Sequence, residues 1–263
     1  MTKPVTYAVH EGVATITLDR PDSMNSLDTA TKEALLAAIR QAGADDGARA
    51  VVVAGTGRAF CVGQDLREHA ENLATKPLPE VWSTVDRHYS PIALGLATMA
   101  KPVVAAINGV AAGAGLSIAL ACDLRIMADS AGLNTAFTAV GLSCDTGASW
   151  SLQRLVGPAK AVELLMLPRT IDAAEALDLG LVTTVVAASS LAGEVASLVG
   201  RLASGPTLAY AAVKQSVAYA ATHRLDEALA FESEMMARTG GSADHGNAVR
   251  SFLAKQQPTY EGA

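Results

Sequence analysis

The chain has 263 residues, 50% of them hydrophobic and 17% charged, with a formal net charge of −6 at pH 7. That length builds one large domain, or one domain with a small appendage, around a core that needs no staple. An acidic balance without any run of Lys or Arg excludes nucleic acid as the main partner, and so few charges predict apolar surface buried between subunits.

In chain order, Val5, Tyr7 and Val9 alternate, Glu11-Gly12 turns, and Ala14, Ile16 and Leu18 alternate again, which predicts a strand pair. Asp28 reads as the N-cap of a helix to about Gln41, with Leu35 and Ile39 on one face. Residues 50–54 form a continuous apolar run, hence a strand buried on both faces, broken by Gly55-Thr56-Gly57. Residues 60–80 read as irregular and 81–99 as helical. Lys101-Pro102 restarts the chain as a buried strand over 103–107; a glycine-rich turn and a helix to about Ala121 follow, then a strand at Leu124, Ile126 and Ala128. Residues 103–122 carry no charge and are numerous enough to span a bilayer. Asn108-Gly109, Gly113, Gly115 and Ser117 interrupt that run, so it reads as strand, turn and helix, not as a membrane segment. Beyond residue 145 the spacing is helical over 149–155, 158–167, 173–179, 191–203, 207–221 and 225–238, with one strand at 181–186. The layout is a β/α core followed by a helical C-terminal third.

Cys61, Cys122 and Cys144 are odd in number and lack CxxC spacing. They read as reduced thiols in a cytoplasmic protein without disulfides, and no metal-ligand spacing appears. The first residues lack the apolar run of a signal peptide.

Three segments carry chemical signal. Arg58-Ala59-Phe60-Cys61-Val62-Gly63-Gln64-Asp65-Leu66 follows a buried strand. Asn108-Gly109-Val110-Ala111-Ala112-Gly113-Ala114-Gly115-Leu116 follows another and opens a helix. Gly141-Leu142-Ser143-Cys144-Asp145-Thr146-Gly147-Ala148-Ser149-Trp150 is a loop entering a helix. Glycine-flanked backbone after a strand, or at a helix start, presents N–H groups without intrahelical partners. Two of them converging form an oxyanion hole. Each segment taken singly also reads as an ordinary tight strand-to-helix turn. No dinucleotide fingerprint, phosphate-binding P-loop or GxSxG nucleophile motif occurs.

In this order, and together with Leu18-Asp19-Arg20-Pro21, Asn25, Leu27, Lys101-Pro102-Val103, Cys122-Asp123, Arg154-Leu155-Val156-Gly157 and the AAEALDLGLV run of residues 173–182, the segments resemble the enoyl-CoA hydratase/isomerase (crotonase) family over nearly the whole chain. The resemblance implies an α/β spiral of ββα units over residues 1–200 and a helical region over 201–263 for trimerisation and pocket closure. It also implies acyl-CoA substrates, a homotrimer or dimer of trimers, and no cofactor beyond the CoA of the thioester itself. By position, the hole donors are the main-chain N–H groups of Val62 and Ala114. Asn25, Cys61, Gly63, Gln64, Asp65, Leu66, Arg67, Gly113, Ser117 and Phe137 then fall along the substrate. Phe252 and Lys255 would meet the CoA, Phe252 from a neighbouring subunit.

The two glutamates of the family's hydratases would stand at Ser117 and Phe137, and neither position is acidic. Hydration needs one group for water and another for the α-carbon proton. Asp145 remains, at a position where double-bond and ring-opening isomerases of the family carry an aspartate. A single carboxylate suffices to take a proton beside a thioester carbonyl and return it elsewhere. Its other reading is the N-cap of the helix that holds Trp150. The leading expectation is therefore an enoyl-CoA isomerase with Asp145, Val62 and Ala114 as its catalytic groups. The alternatives are hydration with acids from Glu68 or Glu71, and a non-catalytic CoA-binding paralogue. The loop also resembles that of chlorobenzoyl-CoA dehalogenases, which carry a histidine where Ser90 stands and a tryptophan where Phe137 stands. His69, Glu68 and Glu71 line the pocket mouth or form a solvated helix face. His88 and Tyr89 lie near the position of the dehalogenase histidine, with His88 reading as a packed or surface histidine, and Phe60, Trp82, Phe137 and Trp150 are candidates for shaping a pocket.

Overall fold

The computed structural model describes residues 3–262. Strands β1 (Val5–His10) and β2 (Val13–Leu18) form the expected hairpin. Helix α1 (Thr29–Ala44) starts at Asp28, whose carboxylate accepts from the Thr31 N–H. Then one pattern recurs. Strand β3 (Ala50–Gly55) joins a six-stranded sheet and the short β4 (Ala59–Cys61) turns into a second sheet, before helix α2 (Leu66–Thr75). Helix α3 (Leu78–Thr84), a π-helical turn (Val85–Tyr89) and helix α4 (Ser90–Thr98) lead back. The pattern repeats as β5 (Val103–Ile107), β6 (Val110–Ala112) and α5 (Ala114–Ala121), and again as β7 (Leu124–Ala128), β8 (Gly132–Asn134) and α6 (Ala148–Val156). Helix α7 (Pro158–Met166), strand β9 (Ile171–Asp172), helix α8 (Ala173–Asp178) and strand β10 (Thr184–Val186) follow. The larger sheet runs β1-β2-β3-β5-β7-β10 and the smaller β4-β6-β8-β9, so each turn of the chain gives one strand to each sheet: a spiral of ββα units. Parallel neighbours flank both edges of β5, and all five of its residues are buried, as its unbroken apolar run requires.

Helix α9 (Leu191–Ala203) closes one face of the larger sheet with Leu191, Val195 and Val199, one turn apart. Helices α10 (Thr207–Ala220), α11 (Leu225–Gly240) and α12 (Ala243–Leu253) follow. The expected division after residue 200 falls inside α9; the chain turns away only at Ser204-Gly205-Pro206. Lys214 of α10 pairs with Asp123 at 2.8 Å, and Arg49 holds the Thr207 hydroxyl and the carbonyls of Gly205 and Tyr260. Sequence periodicity misses β4, β6, β8 and β9, each of three residues or fewer, which is too short for alternation to register. It also misses α2 and α12. Among the described residues no helix is long and apolar enough to cross a membrane.

Candidate active site

A cavity of about 440 Å³ opens where β4, the start of α5, the π-helical turn and the loop before α6 meet. Its wall includes Val62, Gly63, Gln64, Leu66, Gly113, Ala114, Phe137 and Asp145, so the three segments singled out from the sequence converge on one space.

The backbone there is unusual because two segments approach closely. Gly113 (φ 52°, ψ −124°) turns the chain from β6 into α5, a conformation closed to residues with a Cβ. At Gly115 a Cβ would lie 2.1 Å from the Cys61 carbonyl oxygen, so only glycine lets α5 start against β4. A Cβ on Gly63 (φ 82°) would lie 3.1 Å from the Ala114 nitrogen. The Gly63 backbone and the first N–H of α5 are therefore neighbours. That N–H, on Ala114, has no intrahelical acceptor and no other protein acceptor among the described residues.

The second donor differs from the sequence expectation. The Val62 N–H donates to the Met24 carbonyl at 3.3 Å and is engaged. Gln64 instead sits in a parallel bridge opposite Leu27. Leu27 N–H donates to the Gly63 carbonyl at 2.8 Å and Asp65 N–H to the Leu27 carbonyl at 3.1 Å. In extended chain, successive N–H groups alternate in direction. With its neighbour Asp65 bonding Leu27, the Gln64 N–H points to the other side and has no protein acceptor among the described residues. Gln64 and Ala114 are thus two free main-chain donors on backbone segments that touch through Gly63, and Val62 contributes only a side of the wall.

Asp145 is not a helix cap. The N-cap of α6 is Gly147, and among the described residues the Asp145 carboxylate accepts only from the Thr146 hydroxyl, at 2.7 Å. Burial raises its pKa above the ordinary carboxylate range, while the Thr146 hydroxyl bond and the Lys32 ammonium pull it down. It is the one carboxylate of the cavity wall among the described residues.

Several candidate substrate contacts turn out to be scaffold. Asn25 is fully buried; its side chain accepts from the Arg20 N–H and donates to the Thr56 and Ala59 carbonyls. Cys61 is fully buried, its thiol pushed up to about 12 by desolvation. Asp65 caps α2 and pairs with Arg20 at 3.1 Å. The Ser117 hydroxyl turns back to the Gly113 carbonyl at 3.1 Å, so the position that is glutamate in hydratases here only braces the start of α5. Glu68 accepts from the Thr29 N–H with both oxygens, at 3.1 and 3.0 Å. Glu71 is exposed and, like Arg67, stands outside the cavity wall. Trp150 is half exposed beneath the Arg154 guanidinium, and Phe60 is core. Phe252 is 81% exposed on α12, Lys255 is exposed just beyond it, and neither lines the cavity. Trp82, in edge contact with His69, does line it. Tyr89 lines it too and donates to Gln64 Oε1 at 2.5 Å; the sequence reading gives it no role in the pocket. Lys32 is missed altogether, although a lysine three residues before Leu35 on an apolar helix face is the signal that finds it.

Residues 8–263 match the family described as enoyl-CoA hydratase/isomerase. The chain is 38% identical over 254 residues to the 1,2-epoxyphenylacetyl-CoA isomerase of Escherichia coli (strain K12), covering 97% of each chain. It is 33% identical to the (E)-benzylidenesuccinyl-CoA hydratase of Thauera aromatica, covering 99% of this chain and all of that one. A crystal structure of an enoyl-CoA hydratase/isomerase from Mycobacterium abscessus superposes with a TM-score of 0.95 at 45% identity, covering 98% of this chain and 100% of the other. With its ββα spiral and paired free amides, the chain belongs to the enoyl-CoA hydratase/isomerase family.

Proposed function

We propose that the protein isomerises an unsaturated acyl-CoA by moving one proton between carbons of the acyl chain. The observation that carries this reading is a single carboxylate, Asp145, in the same cavity as the free N–H groups of Gln64 and Ala114. The thioester oxygen accepts from both amides. Asp145 takes the proton from the α-carbon of a 3-enoyl thioester, and the electron pair of that C–H bond moves into the dienolate. The protonated carboxyl, half-buried on the cavity wall, exchanges its proton with solvent and delivers one to the γ-carbon, leaving the 2-enoyl thioester. Developing charge on oxygen meets fixed donors, an effect of about 3–4 kcal/mol per donor in oxyanion holes. The relative named as an isomerase supports the same reaction class. Hydration needs a second acid, and Glu68 is engaged by the Thr29 N–H. Supply of acids from elsewhere and a non-catalytic CoA binder are outcomes of the test.

The test is solvent deuterium entering the α- and γ-carbons of a 3-enoyl-CoA. Net water addition without exchange sinks the isomerase, as does binding without either. Asp145 works as a base only when ionised. With its pKa raised by burial, the exchange rate rises with pH through a limb lying above the ordinary carboxylate range and falls away below it. A rate–pH profile with its acid limb at the pH of a free carboxylate contradicts the assignment.

Assembly is part of the proposal. Val213, Val217, Met236, Phe252 and Leu253 expose apolar side chains on α10–α12. We assign this surface to a homotrimer or dimer of trimers, in which Phe252 reaches the CoA bound to a neighbouring subunit and Lys255 meets CoA phosphates. Arg67, exposed on α2 next to Leu66 of the cavity wall, is assigned to the CoA phosphates. Light scattering at micromolar concentration is expected to show particles of three or six chains; a monomer contradicts this. The free thiols Cys61, Cys122 and Cys144 suit a reducing cytoplasm.

A further inference from the structure

Lys32 is 2% exposed on the buried face of α1, in line with Leu35 and Ile39. Its ammonium donates to two neutral oxygens, Thr84 Oγ1 at 2.9 Å and Gln64 Oε1 at 3.3 Å, and lies 5.3 Å from the Tyr89 ring centroid. A buried ammonium with neutral partners weakens a fold relative to an apolar side chain of the same length. Packing alone therefore gives no reason for a lysine here. The Gln64 side chain receives a second donor, the Tyr89 hydroxyl, at 2.5 Å. Tyr89 comes from the π-helical turn, an irregularity that shifts the register of a helix face. The same turn sets His88 Nδ1 3.0 Å from Thr84 Oγ1. Two donors from two elements thus converge on one acceptor atom, and that atom belongs to the residue whose main-chain N–H faces the cavity.

We propose that Lys32 is a positioning residue of this site: with the Tyr89 hydroxyl it clamps the Gln64 side chain, holding the Gln64 N–H in line for a thioester oxygen, and it sets a positive charge behind the Gln64, Thr84 and Tyr89 side of the cavity. The inference rests on Gln64 and Ala114 being the pair that receives that oxygen. The charged and titratable groups around Lys32 are Asp28 on its own helix, Asp65 and Glu68 at the start of α2, His88 and Tyr89 on the π-helical turn, and Asp145. Loss of the ammonium removes the cation that favours the ionised form of Asp145.

Lys32→Met keeps the length of the side chain and removes the donor and the charge. Tyr89→Phe removes the other donor alone. Two readouts separate positioning from stability. The first is the carbonyl stretch of bound butyryl-CoA, a saturated thioester, by Raman difference spectroscopy. The wild-type hole lowers this frequency on binding, and each variant is expected to lose part of the shift. The second is deuterium exchange into a 3-enoyl-CoA. There Lys32→Met is expected to lower kcat about tenfold, to leave KM within twofold, and to move the acid limb to higher pH, while Tyr89→Phe lowers kcat without moving that limb. If both variants keep the wild-type frequency, rate and pH profile, the proposal is overturned. If Lys32→Met does not fold, the frequency shift and rate of Tyr89→Phe decide it. A wild-type protein without a carbonyl shift refutes the hole, and this inference with it. A wild-type protein with the shift but no exchange refutes only the role of Asp145, and the frequencies of the two variants still judge Lys32.

Discussion

Asp145→Asn is expected to lower the rate of α-proton exchange about 10³-fold while leaving binding of a saturated acyl-CoA intact. The amide has nearly the shape of the carboxylate, and its oxygen still accepts from the Thr146 hydroxyl, so the loop before α6 keeps its path. What is lost is the anionic oxygen basic enough to take the proton. The competing reading of Asp145 as a helix cap predicts the reverse: activity kept and about 1 kcal/mol of stability lost. The structure separates the two, because Gly147 caps α6 and the carboxylate bonds no helix N–H. Linkage points the same way. Burial raises the folded-state pKa of Asp145 above its unfolded value, so folding favours the protonated acid. Its contribution to stability is fully present below the unfolded pKa and is lost as pH rises through the folded one. At neutral pH the neutral Asn is therefore expected to leave the urea midpoint unchanged or slightly higher. Net hydration of a 2-enoyl-CoA that survives the substitution would move the chemistry to acids elsewhere.

Much of this site is legible in the chain because its parts are local. Residues 103–122 read as strand, turn and helix from their apolar runs and glycines, and the N–H of Ala114 follows from its place at a helix start. The first segment is less legible. Whether Val62 or Gln64 offers its N–H depends on which residue bridges Leu27, a partner 37 positions away that no local pattern encodes. Asn25, Asp65 and Glu68 look like active-site polar groups on residue type alone. They prove to satisfy backbone and guanidinium groups of the turns that hold the segments together. Tyr89 reaches the cavity only because a π-helical turn shifts the helix face, and helical periodicity of 3.6 cannot foresee an extra residue in one turn.

Replacing Ala114 by proline tests the other half of the mechanism, and it is expected to reduce kcat for exchange by about 10²- to 10³-fold. The substitution deletes one N–H and adds no polar group. Ala114 is the first residue of α5, where proline is tolerated because that N–H has no intrahelical acceptor and the required φ is helical. Ala114 belongs to the cavity wall, so the ring carbon that replaces its N–H enters that open space. Folding is therefore expected to persist, which the circular dichroism spectrum and thermal midpoint would check. If the amide works mainly in the transition state, kcat and kcat/KM fall together, whereas a merely substrate-binding contact would raise KM alone. Full activity in a folded Ala114→Pro protein would mean that the thioester oxygen lies elsewhere. The close approach of Gly63 to Ala114 would then be only the cost of packing β4 against α5. Because Ala114 and Asp145 act on opposite ends of one charge migration, oxygen and carbon, the double variant is expected to lose little more than Asp145→Asn alone. Simple additivity of the two losses would show instead that the amide and the carboxylate serve separate steps.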